Sequence, residues 1–154
     1  MKAGALLDSN VLIAALAEGH EHHVASLALL LAEKRTKFAV AAHSYAEVYS
    51  TLTRKGDHGP FRYSPEKTWV ALESVRAVTT LIGLTAAQTF DAIRGFARDG
   101  GIGARLYDKL IGEVAVANEI SVIVSWNIGH MRSLFPALTV TTPKDFIQTS
   151  QTRS

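Results

Sequence analysis

The sequence contains no cysteine, which excludes disulfide bonds, thiol nucleophiles and cysteine-ligated zinc. It also has no apolar run of the roughly 18 residues that are needed to cross a bilayer. The apolar N-terminal stretch, residues 3–17, is interrupted by Asp8, Ser9 and Asn10. These absences argue against a membrane span or a secretory signal peptide, and they predict a cytoplasmic protein.

An excess of charge of one sign is also lacking. The chain has 16 Lys and Arg against 14 Asp and Glu, a formal net charge of +2, so its charge alone does not indicate nucleic-acid binding. What is present is a hydrophobic fraction of 47% in 154 residues, which is enough to bury the core of one domain. We expect residues 1–147 to form that domain and residues 148–154 to be a polar tail.

Apolar runs typical of buried strands alternate with segments of helical periodicity along the chain. This order predicts an α/β fold of three layers (α/β/α), in which helices cover both faces of a central, mainly parallel sheet. The predicted strands are 3–7, 38–42, 78–84, 121–125 and 138–141. The predicted helices begin after Asp8 and after Thr142, and otherwise span 24–35, 44–54, 65–75, 90–97 and 106–119.

Several large side chains belong either to this core or to a partner surface. We expect Val11 and Leu12 to be core residues, and we expect the helix 65–75 to turn Trp69, Val70 and Leu72 inward. The aromatic residues that are also candidates for a partner or dimer surface are Tyr45, Tyr49 and Trp69.

Polar side chains lie where the predicted strands end. Asp8 follows the first strand, and Glu47 is in the first turn of the helix after the second strand. Asp108 begins the helix that leads into the strand 121–125, and Asn127 follows that strand. Because sites in open α/β sheets lie outside the carboxyl ends of the strands, we expect these groups to converge. Three carboxylates close together repel one another unless a cation binds between them, which predicts Mg²⁺ or Mn²⁺.

Each acid also has an ordinary structural interpretation. Asp8 can be the N-cap of the helix that follows it. Ser44 and Glu47 have the spacing of a capping box, which by itself is the better interpretation of Glu47. Asp108 can simply complement a helix dipole. The acids indicate a site only as an ordered set.

Four strings carry a resemblance to a known family: Leu-Leu-Asp8-Ser-Asn10-Val-Leu-Ile, Ser44-Tyr-Ala-Glu47-Val-Tyr, Tyr107-Asp108-Lys-Leu-Ile and Val-Ser125-Trp-Asn127-Ile-Gly-His130-Met. In order and spacing they resemble the four motifs of PIN-domain nucleases of the VapC toxin type. The resemblance covers nearly the whole chain.

The resemblance implies a PIN-like fold and a Mg²⁺-dependent endoribonuclease, the toxin of a type II toxin–antitoxin pair. Asp8, Glu47 and Asp108 correspond to the family's metal-binding acids, and Mn²⁺ is a possible substitute for Mg²⁺. Ser9 or Asn10 would orient the first acid, and Ser125 would match the hydroxyl residue of the last motif. The implied partners are an RNA substrate, a cognate antitoxin protein and a second copy of the chain, with no membrane.

The fourth motif departs from the family pattern. Many members carry a fourth acid there, whereas this chain has Asn127 as the corresponding catalytic candidate, with His130 three residues on. An amide oxygen binds a hard cation without contributing charge, so the choice between one metal and two stays open. His130 is either a substrate contact or an ordinary packed residue. The basic residues near the motifs, candidates for RNA phosphate contacts or solvated helix ends, are Arg54, Lys55, Arg105, Lys109 and Arg132.

Two rival functions and one rival site follow from the same residues. A catalytically inactive PIN-fold protein that binds RNA or regulates would need no fourth acid. A phosphatase would need a partner acid two residues after Asp8, where the chain has Asn10. The histidine-rich segment 20–23 could suggest zinc, but no acid or cysteine with matching spacing accompanies it.

Overall fold

The computed structural model describes residues 3–32, 37–56 and 59–152. In these ranges the chain forms five strands, which are β1 Ala5–Leu7, β2 Phe38–Ala41, β3 Thr80–Ile82, β4 Val122–Val124 and β5 Thr139–Thr141. It also forms eight helices there, which are α1 Ser9–Leu16, α2 His23–Ala32, α3 Ala42–Thr53, α4 Pro65–Val78, α5 Ala86–Arg98, α6 Arg105–Ala117, α7 Ile128–Leu134 and α8 Pro143–Thr152. None of the helices in the described ranges is long and apolar enough to cross a membrane.

The strands form one sheet in the order β3-β2-β1-β4-β5, and every neighbouring pair is parallel. The central strand β1 pairs through Leu7 with Val40 of β2 and with Val124 of β4. This register aligns the carboxyl ends of the three inner strands. Whatever follows Leu7, Ala41 and Val124 in the sequence therefore lies at one edge of the sheet.

The core lies on both faces of the sheet. Leu7 packs with Leu12, Leu29 and other buried residues of α1, α2, α3 and α4. Its neighbour Leu6 points to the opposite face and packs with Ile111 and Met131 of α6 and α7, because successive side chains of a strand alternate between faces. The predicted three-layer, parallel α/β architecture is confirmed.

The prediction that a capping box begins α3 at Ser44 was wrong. The helix begins at Ala42, directly after β2, and its N-cap Ala41 has no capping side chain. Ser44 is fully buried inside the first turn, and Glu47 lies one turn further along the helix than expected. Glu47 is therefore free of the capping role that the sequence favoured for it.

Other local predictions had mixed outcomes. Leu72 is buried as expected, but Trp69 is 58% and Val70 62% exposed, so their predicted inward orientation was wrong. The helix α7 was not predicted, and α8 continues to Thr152, beyond the expected start of the polar tail. The predicted basic end of α2 at residues 34–35 lies outside the described residues.

Candidate active site

Asp8 is the buried centre of the site, with an exposure of only 4%. It is the N-cap of α1, and its Oδ1 accepts a hydrogen bond of 2.7 Å from the backbone N–H of Ser9. Its Oδ2 accepts bonds from Ser125 Oγ at 2.7 Å and from Asn10 Nδ2 at 3.3 Å. The capping and functional interpretations of Asp8 are therefore compatible, because one oxygen caps the helix while the other joins a network across the sheet edge.

Ser125, the residue after β4, connects that network. Its hydroxyl oxygen donates to Asp8 and accepts from Asn10 Nδ2 at 3.2 Å and from the backbone N–H of Asn127 at 3.0 Å. Asn10 Oδ1 in turn accepts from the backbone N–H of Trp126 at 3.1 Å. These bonds fix the start of α1 to the end of β4, and they hold the Asp8 carboxylate in one orientation.

Glu47 reaches the same edge from the second turn of α3. Its Oε1 accepts a hydrogen bond of 3.1 Å from Ser9 Oγ, so Ser9 links Glu47 to Asp8. His43, one turn earlier on α3, has its Nε2 3.7 Å from the same oxygen. That nitrogen is buried and has no hydrogen-bond partner among the described groups. His43 was not predicted as a site residue, although its spacing of four residues from Glu47 places both on one helix face.

Asp108 approaches from the first turn of α6 and is held by the fourth motif. Its Oδ2 accepts a hydrogen bond of 3.1 Å from Asn127 Nδ2 and contacts His130 Nδ1. Asn127, which stands in place of the expected acid, and His130, three residues on, thus both touch the third carboxylate. His130 is neither a remote surface residue nor simply packed, because its ring is aimed at Asp108.

Burial and neighbouring carboxylates raise the pKa of two of the acids, Asp8 and Glu47. Burial raises the pKa of Asp8 to about 6, the bond from Ser125 opposes that rise, and the charge of Asp108 adds to it. Burial also raises the pKa of Glu47, against the bond from Ser9 and with help from the charges of Asp8 and Asp108. Burial alone lowers the pKa of His43. The site therefore disfavours negative charge in the absence of a cation.

Divalent metal binding fits this donor chemistry. Carboxylate oxygens are the ligands that Mg²⁺ prefers, and Mg²⁺ keeps several waters, so it needs only one or two direct carboxylates. Across the described ranges, no three His, Asp or Glu side chains are already arranged around a single ion position. The charge of Asp108 acts on both Asp8 and Glu47, which fits an ion held between them partly through water.

The basic residues near the motifs divide into two groups. Lys109 forms a 2.9 Å ion pair with Glu113 and lies over the Phe135 ring, and Arg132 donates to the Val140 carbonyl. Both cations are therefore engaged by the protein itself. The exposed ones at the ends of α3 and α6 are Arg54, Lys55 and Arg105.

The histidine-rich segment makes backbone and ring contacts. His23 Nδ1 lies 2.9 Å from the Ala14 carbonyl, and His20 Nδ1 accepts from the backbone N–H of His22. Within the described residues, these histidines belong to no group of three metal-ligating side chains arranged around one ion position.

Comparison with solved structures gives the same fold in bacterial toxins. The chain is 14% identical to VapC20 of Mycobacterium tuberculosis, described as a sarcin–ricin loop cleaving toxin, with a TM-score of 0.65 over 84% of this chain and 94% of that one. It is 18% identical to a chain of the DNA-bound VapBC complex of Salmonella typhimurium, with a TM-score of 0.63 over 93% of this chain and 99% of that one. It is 21% identical to a chain of the DNA-bound VapBC2 complex of Rickettsia felis, with a TM-score of 0.59 over 88% of this chain and 96% of that one.

Comparison with curated proteins gives no significant match. The sequence does match a family of known fold: residues 5–128 correspond to the PIN domain. That span covers most of the chain and contains β1 to β4 with Asp8, Glu47, Asp108 and Asn127. The protein belongs to the PIN domain family.

Proposed function

We propose that this protein is a Mg²⁺- or Mn²⁺-dependent endoribonuclease and the toxin of a type II toxin–antitoxin pair, acting in the cytoplasm. The observation that carries the proposal is the hydrogen-bond network that joins the three acids at one edge of a PIN-domain sheet. Ser9 links Glu47 to Asp8. Ser125 links Asp8 to Asn127, which donates to Asp108. Burial and like charge raise the pKa of Asp8 and Glu47 while hydrogen bonds hold both side chains, and such a site is suited to a cation.

Some of the chain's residues would bind the metal ion, and others would orient the residues that bind it. Asp8, Glu47 and Asp108 would bind the metal ion. When bound there, Mg²⁺ or Mn²⁺ supplies a water of lowered pKa for in-line attack on a phosphodiester, and positive charge for the phosphoryl oxygens. Ser125 and Asn10 would keep Asp8 in the binding orientation through their bonds to its Oδ2.

The fourth motif would act on Asp108 rather than replace an acid. Asn127 Nδ2 and His130 Nδ1 both meet its Oδ2, which leaves Oδ1 as the oxygen available to a cation or its water. Because Asn127 adds no negative charge, a second metal would bind more weakly than the first.

The RNA substrate and the antitoxin are supported by the structural neighbours. VapC20 is described as cleaving the sarcin–ricin loop, and the Rickettsia and Salmonella structures are VapBC complexes bound to DNA. These similarities in fold, together with the acidic site, support RNA as the substrate and an antitoxin as the neutralising partner.

A homodimer is supported by α5. This helix has apolar residues on one face, yet Ala92 is its one buried residue, while Phe90 is 64% and Ile93 40% exposed. Val116 of the neighbouring helix α6 is exposed as well. An amphipathic face left open in the monomer is suited to a second copy of the chain.

A catalytically inactive RNA-binding protein remains the second candidate, because Asp108 is engaged by Asn127 and His130 rather than by an acid-rich fourth motif. The deciding experiment is incubation of a mixed pool of structured RNA with the purified chain and Mg²⁺, Mn²⁺ or EDTA. The panel compares wild type with Asp8→Asn and Asp108→Asn, and with the exposed control Asp91→Asn on α5.

We expect cleavage by wild type and by Asp91→Asn only when a metal is present. Both site variants should lose about 100-fold or more of the rate. Cleavage by the site variants at the wild-type rate would refute the assignment of the acids. Binding of RNA without cleavage by the wild type, with either metal, would favour the inactive RNA-binding protein instead.

A further inference from the structure

Beside the acidic site runs a row of half-buried ring side chains that the proposed chemistry does not use. The row, here called the aromatic row, consists of Trp126, His22, His20, Phe61 and Tyr63, and it ends under the ammonium group of Lys67. Its members come from the segment before α2, the segment before α4 and the end of β4. Residues so distant in sequence form one surface only in the folded chain.

The aromatic row begins at the active-site network. Trp126 directly follows Ser125, and its backbone N–H donates to Asn10 Oδ1 at 3.1 Å. Its indole Nε1 donates to Ser26 Oγ at 2.9 Å, which fixes the ring. The His22 ring stacks on it with a centroid distance of 3.9 Å and an angle of 10°. The stack therefore begins at the residue that follows Ser125 of the active-site network.

The row then leads away from the acids toward positive charge. His20 stacks on Phe61 at 6.4 Å, Phe61 neighbours Tyr63 at 6.3 Å, and Lys67 lies 4.2 Å above the Tyr63 ring. The Arg62 guanidinium donates to the Gly59 and Gly56 carbonyls. Those bonds tie the segment that carries Phe61 and Tyr63 to the exposed basic end of α3, Arg54 and Lys55.

We propose that the aromatic row binds the single-stranded RNA that flanks the cleaved bond, by stacking its bases on the exposed parts of the rings. This inference rests on the proposed ribonuclease function and extends it to how the strand is held. Planar rings that accept any base, followed by cations for the backbone phosphates, are the two elements of sequence-tolerant single-strand binding.

The chemistry of the row favours RNA over a protein partner. Two of its five rings are imidazoles, which offer a flat face but little aliphatic surface for a protein to bury. The row is also continuous at one end with the acids and at the other with Lys67, as a strand that enters a nuclease site requires. A protein that covers the row would not need this polarity of charge.

The test measures RNA affinity in the absence of cleavage. The probe is a fluorescein-labelled single-stranded oligoadenylate of about 12 nucleotides, within the site sizes of single-strand binders, and its matched control is an abasic strand of the same length. Affinities are measured by fluorescence anisotropy in EDTA. The variants are His22→Ala, Phe61→Ala and His22→Tyr, with Val78→Ala at the end of α4 as a control that removes an exposed apolar side chain elsewhere.

Loss of one stacking ring should weaken binding of the oligoadenylate at least about fivefold in His22→Ala and in Phe61→Ala. Binding of the abasic strand should be unchanged in both. His22→Tyr keeps a ring in place and should bind as the wild type does, and so should Val78→Ala. Because His22→Tyr retains the stack, it separates the loss of a ring from a loss of folding.

Equal losses for the oligoadenylate and the abasic strand would overturn base stacking by the row. If the wild type cleaves RNA but every variant binds the oligoadenylate with unchanged affinity, base stacking by the row is also overturned. The row would then serve packing or a protein partner, and the ribonuclease function would still stand. Failure of the wild type both to bind either strand and to cleave any RNA would overturn the row and the proposed function together.

Discussion

The buried carboxyl of Asp8 predicts that the metal-free protein loses stability as the pH rises. Its pKa is raised from 3.8 to about 6, chiefly by burial. A group whose folded-state pKa is raised stabilises the fold fully below its unfolded-state pKa, and that contribution is lost as the pH rises through the folded-state value. With about 1.4 kcal/mol per pKa unit, ionising Asp8 costs the fold about 3 kcal/mol in total.

Replacement of Asp8 by Asn removes this cost. Between about pH 4.5 and about pH 8, the stability of Asp8→Asn relative to wild type should increase by about 2 kcal/mol, since part of the cost is already present at the lower pH. For a chain of this length that corresponds to a relative rise in Tm of about 4–8 °C. The Asn side chain also forms weaker hydrogen bonds than Asp8 did, but this loss is the same at both pH values and therefore does not affect the change in relative stability with pH.

The assay is thermal unfolding of wild type, Asp8→Asn and the exposed control Asp91→Asn at both pH values, first in EDTA and then with Mg²⁺. In EDTA the Tm of Asp91→Asn should follow that of wild type. Mg²⁺ at about 100 times its Kd should stabilise wild type by about 2.7 kcal/mol at the higher pH, and Asp8→Asn far less. A Tm difference between wild type and Asp8→Asn that stays constant with pH would refute the perturbation of Asp8.

Three further predictions concern orientation, packing and assembly. Ser125→Ala removes the 2.7 Å bond to Asp8 and should weaken Mg²⁺ binding about 10–100-fold in calorimetric titration; unchanged affinity would contradict the orienting role. Gly112→Ala places a Cβ about 1.9 Å from the Phe135 ring and should lower the free energy of unfolding, measured in urea, by about 1–3 kcal/mol. Gly95→Ala has open space around it and should raise that free energy by about 0.5–1 kcal/mol. Similar effects of the two changes would contradict the packing at Gly112. Phe90→Glu should convert a dimer into a monomer in sedimentation, and a variant that remains dimeric would exclude α5 from the interface.

Much of the fold is predictable because its strands are covered on both sides. The three residues of β1 are all apolar and fully buried, so a short continuous apolar run is a reliable signal here. The polar residues that follow such a run lie at the carboxyl edge of the sheet, which is why Asp8 and Asn127 could be assigned to one edge from the sequence.

The errors arise where tertiary context overrides a local signal. At α3 the helix follows β2 without a loop, so the strand fixes its start at Ala42 and the capping-box spacing at Ser44 has no effect. On α4 the buried face is formed by Thr68, Leu72 and Val75. Thr68, Leu72 and Val75 have the spacing of one helix face, but Thr68 is polar and was not recognised as buried. Trp69 was therefore assigned to the buried face in its place.

The side-chain network of the site could be predicted only in part. The identities of the three acids followed from their places in the chain order. The contacts of His130 with Asp108 and of Trp126 with His22 join residues that are 22 and more positions apart. Such contacts depend on how the helices pack on the sheet, which no local pattern in the sequence encodes.

Glu47 gives the most direct test of the central claim, because the sequence alone favours a capping role for it and the structure removes that role. The measurement is the RNA cleavage rate as a function of Mg²⁺ concentration for wild type, Glu47→Gln and the exposed control Glu73→Gln on α4. We predict that Glu73→Gln cleaves as wild type does, while Glu47→Gln is about 100-fold slower or needs far more Mg²⁺. Equal rates and equal Mg²⁺ dependence for Glu47→Gln and wild type would contradict the assignment of this edge of the sheet as a metal-dependent nuclease site.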